Sequence, residues 1–238
     1  MGKDDVARVR GVFERRDLLS RSSWFDRGHL FLIQQRERNT LRFLEKHGLE
    51  KLEATRILDI GCGDGYWMRE FVKWGANPRK VAGLDLLSSR VERAIGLSPN
   101  TMSFRVGNAE ELPWDVGSFD LVIQSTVFSS ILDPAVRDRI AAEMLRVLAP
   151  GGSILWYDFF VDNPRNSDVR GVRGSEVRRL FPGCSVHLAR LTLAPPLARI
   201  VARKCWPLAQ LLESIPWLCT HYLGVIRKPL EPPRSLAR

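Results

Sequence analysis

Cysteine is scarce in this chain: there are four in 238 residues, Cys62, Cys184, Cys205 and Cys219, with no CxxC pair and no histidine at zinc-ligand spacing. This gives no basis for a disulfide framework or a metal site, and makes a reducing cytoplasm the simpler setting. The first residues, MGKDDVARVRG, mix charges of both signs and lack the apolar core of a secretory signal. The most apolar region, 191–226, is interrupted by Arg, Lys, Glu and Pro, so it lacks the ~20 clean residues that a membrane span needs. No internal repeat or low-complexity tract occurs. Apolar residues at 45% and charged residues at 26% are those of an ordinary globular chain, long enough for one large core with an appendage.

Cations exceed anions, 36 to 27, for a net charge of +9, which raises the question of a phosphate-rich partner. The basic groups are short (Arg15-Arg16, Arg178-Arg179, Arg203-Lys204) and none is interleaved with aromatics as in a strand-binding groove. A solvated surface is the expectation, and an RNA-modifying enzyme or nucleic-acid binder is the alternative.

The chain between residues 57 and 159 alternates strand and helix signals. RILDI is a short apolar run, followed by a glycine-rich loop and then by Trp67, Met68, Phe71 and Val72 on one helical face, stopped at Gly75. KVAGLD is a second strand, and Ser89 with Glu92 three positions later predicts a capping box. FRVG, FDLVIQS and SILWYDF supply further strands. Asp133-Pro134 opens a helix that Pro150-Gly151-Gly152 is expected to terminate. Before this region lies a predicted helix from His29 to His47. After it come a short helix near 175–181 and two strands, SVHLARLTL and THYLGVI, read as an antiparallel hairpin with an insertion. The expected architecture is a three-layer Rossmann-like α/β fold with a mostly parallel seven-stranded sheet and a C-terminal antiparallel hairpin.

The stretch ILDIGCGDGYWMREF places glycines at 61, 63 and 65 on the first strand-to-helix turn, where an open parallel sheet receives its ligands. A dinucleotide site wants G-x-G-x-x-G, but here the third glycine comes one position early and Tyr66 stands where glycine is expected, so an NAD-dependent oxidoreductase is disfavoured. Asp59 at the strand end would repel a pyrophosphate and attract a cation.

DIGCGDG, the acidic end of GLD at Asp85, GNAEELPWDVGSFDLVI and LRVLAPGG, in that order, resemble the class I S-adenosylmethionine-dependent methyltransferases of small molecules over about 52–159. The resemblance implies S-adenosylmethionine as cofactor. It would place Asp59 toward the methionine ammonium and the backbone of Gly61, Cys62 and Gly63 along the methionine moiety. Asp85 would take the ribose hydroxyls, Leu86 would lie on the adenine, and Asn108-Ala109 would read its amino group. Gln124 and Ser125 would line the methionine end. Asn108 departs from the Asp common in the family and is expected to alter affinity without abolishing binding. Helix capping is the rival role for Asp59 and Asp85, a simple turn for Asn108, and loop filling for Cys62.

No catalytic residue can be named from the sequence. QSTVFSS after the fourth strand lacks an Asn/Asp-Pro-Pro-aromatic motif, and Ser129 and Ser130 stand where small-molecule relatives often carry His. Asp158 and His29, the latter on a helix expected over the cofactor mouth, are weak alternatives. The expected domains are an N-terminal helical cap, 1–50, and a methyltransferase domain, 51–238, with an insertion at about 194–218 between the last two strands. The cap and insertion would roof the site, suiting a small-molecule or glycan-like acceptor methylated on oxygen, slightly ahead of nitrogen or carbon. The insertion reads either as a lid or as a peripheral membrane contact.

Overall fold

A seven-stranded sheet organises the computed structural model, which describes residues 3–19, 23–163 and 166–230, with side chains in the first helix described at 7–15. The Arg16 side chain of the first basic group and residues 231–238 of the expected second domain lie outside these. The strands are β1 (Ile57–Ile60), β2 (Val81–Asp85), β3 (Ser103–Val106), β4 (Phe119–Ser125), β5 (Leu148–Phe159), β6 (Ser185–Leu193) and β7 (Cys219–Arg227). Their order across the sheet is β3-β2-β1-β4-β5-β7-β6. The first five run parallel, and β7 is antiparallel to both β5 and β6.

Every residue of β1 and β2 is buried, as expected of parallel strands covered on both faces. On one face α5 (Pro134–Val147) and α6 (Gly174–Leu180) set Ile140, Met144 and Val177 against Ile60, Val122 and Trp156. On the other, α3 (Tyr66–Lys73) brings Met68 and Phe71 to Ile57 and Ile123, and α2 (Arg27–Lys46) adds Leu44. Side chains buried as fully as Met68 and Phe71 each contribute about 1.5–3 kcal/mol. A third apolar cluster joins Phe31 of α2 to Leu193 and to Ala198, Ala202 and Ala209 of α7 (Pro195–Lys204) and α8 (Trp206–Glu213). These two helices occupy the segment between β6 and β7. Two further α-helices among the described residues are α1 (Lys3–Leu19) and α4 (Ser88–Leu97).

Three local expectations are corrected. Ser89 and Glu92 form no capping box, because α4 starts one residue after Leu87, whose N–H donates to the Asp85 carboxylate at 3.0 Å. Pro150-Gly151-Gly152 does not terminate α5. The helix ends at Val147 and the three residues lie within β5, where pairing jumps from Phe119–Leu148 to Leu121–Ser153. Such a bulge tolerates a proline that cannot donate and a glycine at φ +74°. Third, the helix carrying His29 packs against α7, β6 and β7, and another helix, α1, covers the cavity described below.

Candidate functional site

The sheet reverses its order between β1 and β4, and a cavity of about 190 Å³ opens beyond the carboxyl ends of β1, β2 and β4. Gly61, Asp85, Leu86, Asn108, Ala109 and residues 125–127 are among its lining. One wall is therefore polar and the rest largely apolar, as a nucleoside with a zwitterionic tail requires.

The glycine loop is shaped by close approach. Gly61 has φ +67°, and a Cβ there would come within 2.6 Å of Val127 Cγ2 across the cavity. Gly63 has φ +56° with open space about it, so conformation alone demands glycine. The N–H groups of Gly61 and Cys62 donate to Leu84 O at 2.8 and 3.1 Å, fixing the loop on β2. Cys62 is buried against Gly83, and burial raises its thiol pKa far above the ordinary value, which fits loop filling and not nucleophilic attack.

Asp85 accepts from Gly63 N at 2.9 Å through one oxygen and from Leu87 N through the other. Each oxygen keeps a lone pair, enough for a diol at the cavity wall. Asp59, one strand over, is buried, and no described residue donates a hydrogen bond to its carboxylate. Burial, reinforced by the Asp85 charge, holds its carboxyl well above the usual carboxylate range. A buried acid without a donor is satisfied by a cation, so these two residues fit a cofactor with an ammonium and a ribose. Asp59, Cys62, Gly63 and Gln124, expected at the cofactor, are not among the residues that line the cavity. Asn108 faces it, while its side chain also accepts from Glu110 N at 3.1 Å and donates to Glu110 Oε1 at 3.0 Å, a turn arrangement.

Across the cavity, Gln124 is wholly buried and accepts from Val127 N at 3.2 Å, bracing the 125–127 corner. Thr126 in that corner has φ +59°, a strained conformation for a β-branched residue, and is held by its N–H on Tyr157 O at 2.8 Å. Asp158 does not line the cavity. It accepts from Ser129 N at 3.1 Å and Phe159 N at 2.9 Å, and burial pushes its carboxyl up to about 6. It anchors the turn at Phe128–Ser130. His29 is likewise outside the lining, beside Trp24.

Val9, Arg10 and Phe13 of α1 complete the cavity, and sequence reasoning missed them. Arg8 holds the helix down by donating to Ser130 O at 2.8 Å, and the Arg90 guanidinium lies 4.5 Å from the Phe13 ring centre. Val9, Val12 and Phe13 recur at helical spacing, the one signal that could have identified this helix. Among the described residues there is no group of three or more His, Cys, Asp or Glu able to hold a metal ion.

Known proteins resemble the chain in this region. A family model described as a methyltransferase domain matches residues 57–152. The 2-methyl-6-phytyl-1,4-hydroquinone methyltransferase of Synechocystis is 37% identical over 116 residues, 47% of this chain and 35% of that protein. The sterol 24-C-methyltransferase erg6 of Aspergillus fumigatus is 32% identical over 138 residues, 52% of this chain and 34% of that protein. The chain thus spans about a third of the length of these two relatives. An S-adenosylmethionine dependent methyltransferase from Mesorhizobium loti shares the fold, with a TM-score of 0.58 at 22% identity over 75% of this chain and 93% of that one.

Proposed function

We propose that this chain, whose residues 57–152 match a methyltransferase domain, is a class I S-adenosylmethionine-dependent methyltransferase that transfers a methyl group to a small, apolar, electron-rich acceptor. The observation that carries this reading is the cavity at the switch point, with Asp85 on its wall and Asp59 buried beside the glycine loop. S-adenosylmethionine, when bound, supplies an electrophilic methyl group on a sulfonium. Asp85 holds the ribose hydroxyls by charge-assisted bonds, Leu86 and Ala109 give the adenine an apolar seat, and Asp59 neutralises the ammonium. The 125–127 corner and α1 exclude water and align the acceptor, which is most of what an in-line displacement needs.

No His, Lys, Cys, Tyr or Glu is among the described lining residues, and Asp85 is already engaged by two backbone N–H groups. A strong general base is thus not part of the proposal. The oxygen acceptor expected from the sequence is kept as a hydroxyl on a phenol- or hydroquinone-type ring, which ionises far more readily than an alcohol and can give up its proton to solvent before the site closes over it. The names of the two relatives, one a phytyl hydroquinone and the other a sterol enzyme, support an apolar acceptor.

Calorimetry of the purified chain with S-adenosylhomocysteine and, separately, NAD tests the cofactor. Binding of the first alone is expected, and absence of heat with it overturns the proposal. Product NMR after incubation with labelled cofactor and phenolic acceptors then distinguishes an oxygen-bound from a carbon-bound methyl.

A further inference from the structure

The segment between β6 and β7 presents apolar side chains outward as well as inward. Its inner face is closed by Ala198, Ala202 and Ala209 against Phe31. On its outer face Ile200, Leu208, Leu211, Ile215 and Trp217 are exposed, Trp217 at 86%. The turn before α2 abuts the same helices: Gly28 packs on the Arg199 backbone, Arg27 donates to Arg203 O at 3.3 Å, and Asp26 pairs with Arg203. That turn adds Trp24 and Phe25, the latter 97% exposed. Two abutting segments thus present seven large apolar side chains to solvent, where isolated ones would be ordinary.

The charge around them has one sign. Glu213 is neutralised by Arg38 and Asp26 by Arg203. Arg27, Arg199 and Lys204 are exposed and have no carboxylate partner among the described residues. No described helix is long and apolar enough to cross a membrane, so any lipid contact by these helices is peripheral. Exposed tryptophans and aliphatics with cations beside them match the boundary between acyl chains and anionic headgroups. A second copy fits less well, since a twofold contact would set these cations against themselves.

We propose that α7, α8 and the 24–27 turn form a peripheral docking face for an anionic lipid bilayer. The face stands independently of the methyl-transfer reading. The excursion leaves β6 at Leu193 and rejoins β7 at Cys219, on the edge of the sheet where the cavity opens, so a docked chain holds that edge toward the lipid.

Flotation of the full chain with phosphatidylcholine vesicles, with and without phosphatidylserine, tests the proposal. Retention on the anionic vesicles is expected. Arg199→Gln and Lys204→Gln should each weaken it about five-fold. Trp217→Ala combined with Leu211→Ser should weaken it about ten-fold or more, with an unchanged circular-dichroism spectrum and a cooperative thermal transition as the check on folding. No retention on anionic vesicles at low salt overturns the proposal, as does retention indifferent to these changes. A dimer in sedimentation that Trp217→Ala disperses would assign the face to a second copy instead. The two charge variants alter exposed side chains only and keep the test decisive if the apolar double variant fails to fold.

Discussion

The carboxylate of Asp85 accepts a hydrogen bond from the amide of Gly63, 2.9 Å away and 22 residues earlier in the chain. The end of β2 therefore shapes the loop that follows β1, and the acid assigned to the ribose also holds the backbone assigned to the methionine. With the ribose on Asp85 as proposed, cofactor affinity and loop geometry would be coupled through one side chain.

Asp85→Ala should weaken S-adenosylhomocysteine binding by ~1–3 kcal/mol and lower stability by a similar amount, since Gly63 N–H and Leu87 N–H both lose their acceptor. Asp85→Asn, with one amide oxygen left to accept, should fall between. Titration calorimetry and urea denaturation of the two variants separate the effects.

Phe13→Ala should speed release of S-adenosylhomocysteine more than it slows association, because Phe13 contacts the cavity from a helix held by Arg8 and Arg90. Loss of an aromatic side chain at a cavity wall predicts an affinity drop of about 1–2 kcal/mol. Stopped-flow displacement measures the dissociation rate, and an unchanged rate would show that α1 does not close the site.

Gly28→Ala should loosen α2 from α7. The added Cβ would come within 2.6 Å of Arg199 Cα and 3.0 Å of Arg199 O, backbone atoms that cannot swing aside. A destabilisation of about 1–3 kcal/mol is expected from urea denaturation, with little change in cofactor affinity.

His221 is stacked on Tyr157 at 4.8 Å, and burial, then the Arg36 charge, push it down from 6.5 to about 3. Between those values the unfolded chain binds a proton that the folded chain does not, so stability falls as pH is lowered through this window. Each pH unit there removes up to about 1.4 kcal/mol. Asp158, raised from 3.8 to about 6, acts oppositely, favouring the folded state at the acid end and losing that contribution as pH rises. Denaturation midpoints from pH 4 to 7 should give His221→Gln a stability that falls less, or not at all, on acidification.

Much of this was legible because local chemistry and fold agree. The apolar run of β1, the three spaced glycines and the acid ending β2 sit together in the structure as their spacing suggested, since a parallel sheet brings successive strand ends to one edge. Where several local solutions compete, the sequence misled. Ser89 and Glu92 match a capping pattern, yet Asp85 already fixes Leu87 and the helix starts before the pattern can act. Pro150-Gly151-Gly152 has the composition of a helix stop, but the helix had ended at Val147 and β5 absorbs the three residues in a bulge. The choice between α1 and α2 as the cavity cover was settled at long range, by Gly28 on Arg199 and Arg8 on Ser130, contacts that no local pattern records.

The excursion through α7 and α8 begins and ends at neighbouring points. Leu193 and Cys219 are paired across β6 and β7, and Ala194 N donates to Leu218 O at 2.8 Å. Its contents can therefore be exchanged without shifting the register of either strand, provided the replacement still covers Phe31. Nature or an engineer could retarget this scaffold by grafting at one junction, leaving the nucleoside-binding half untouched.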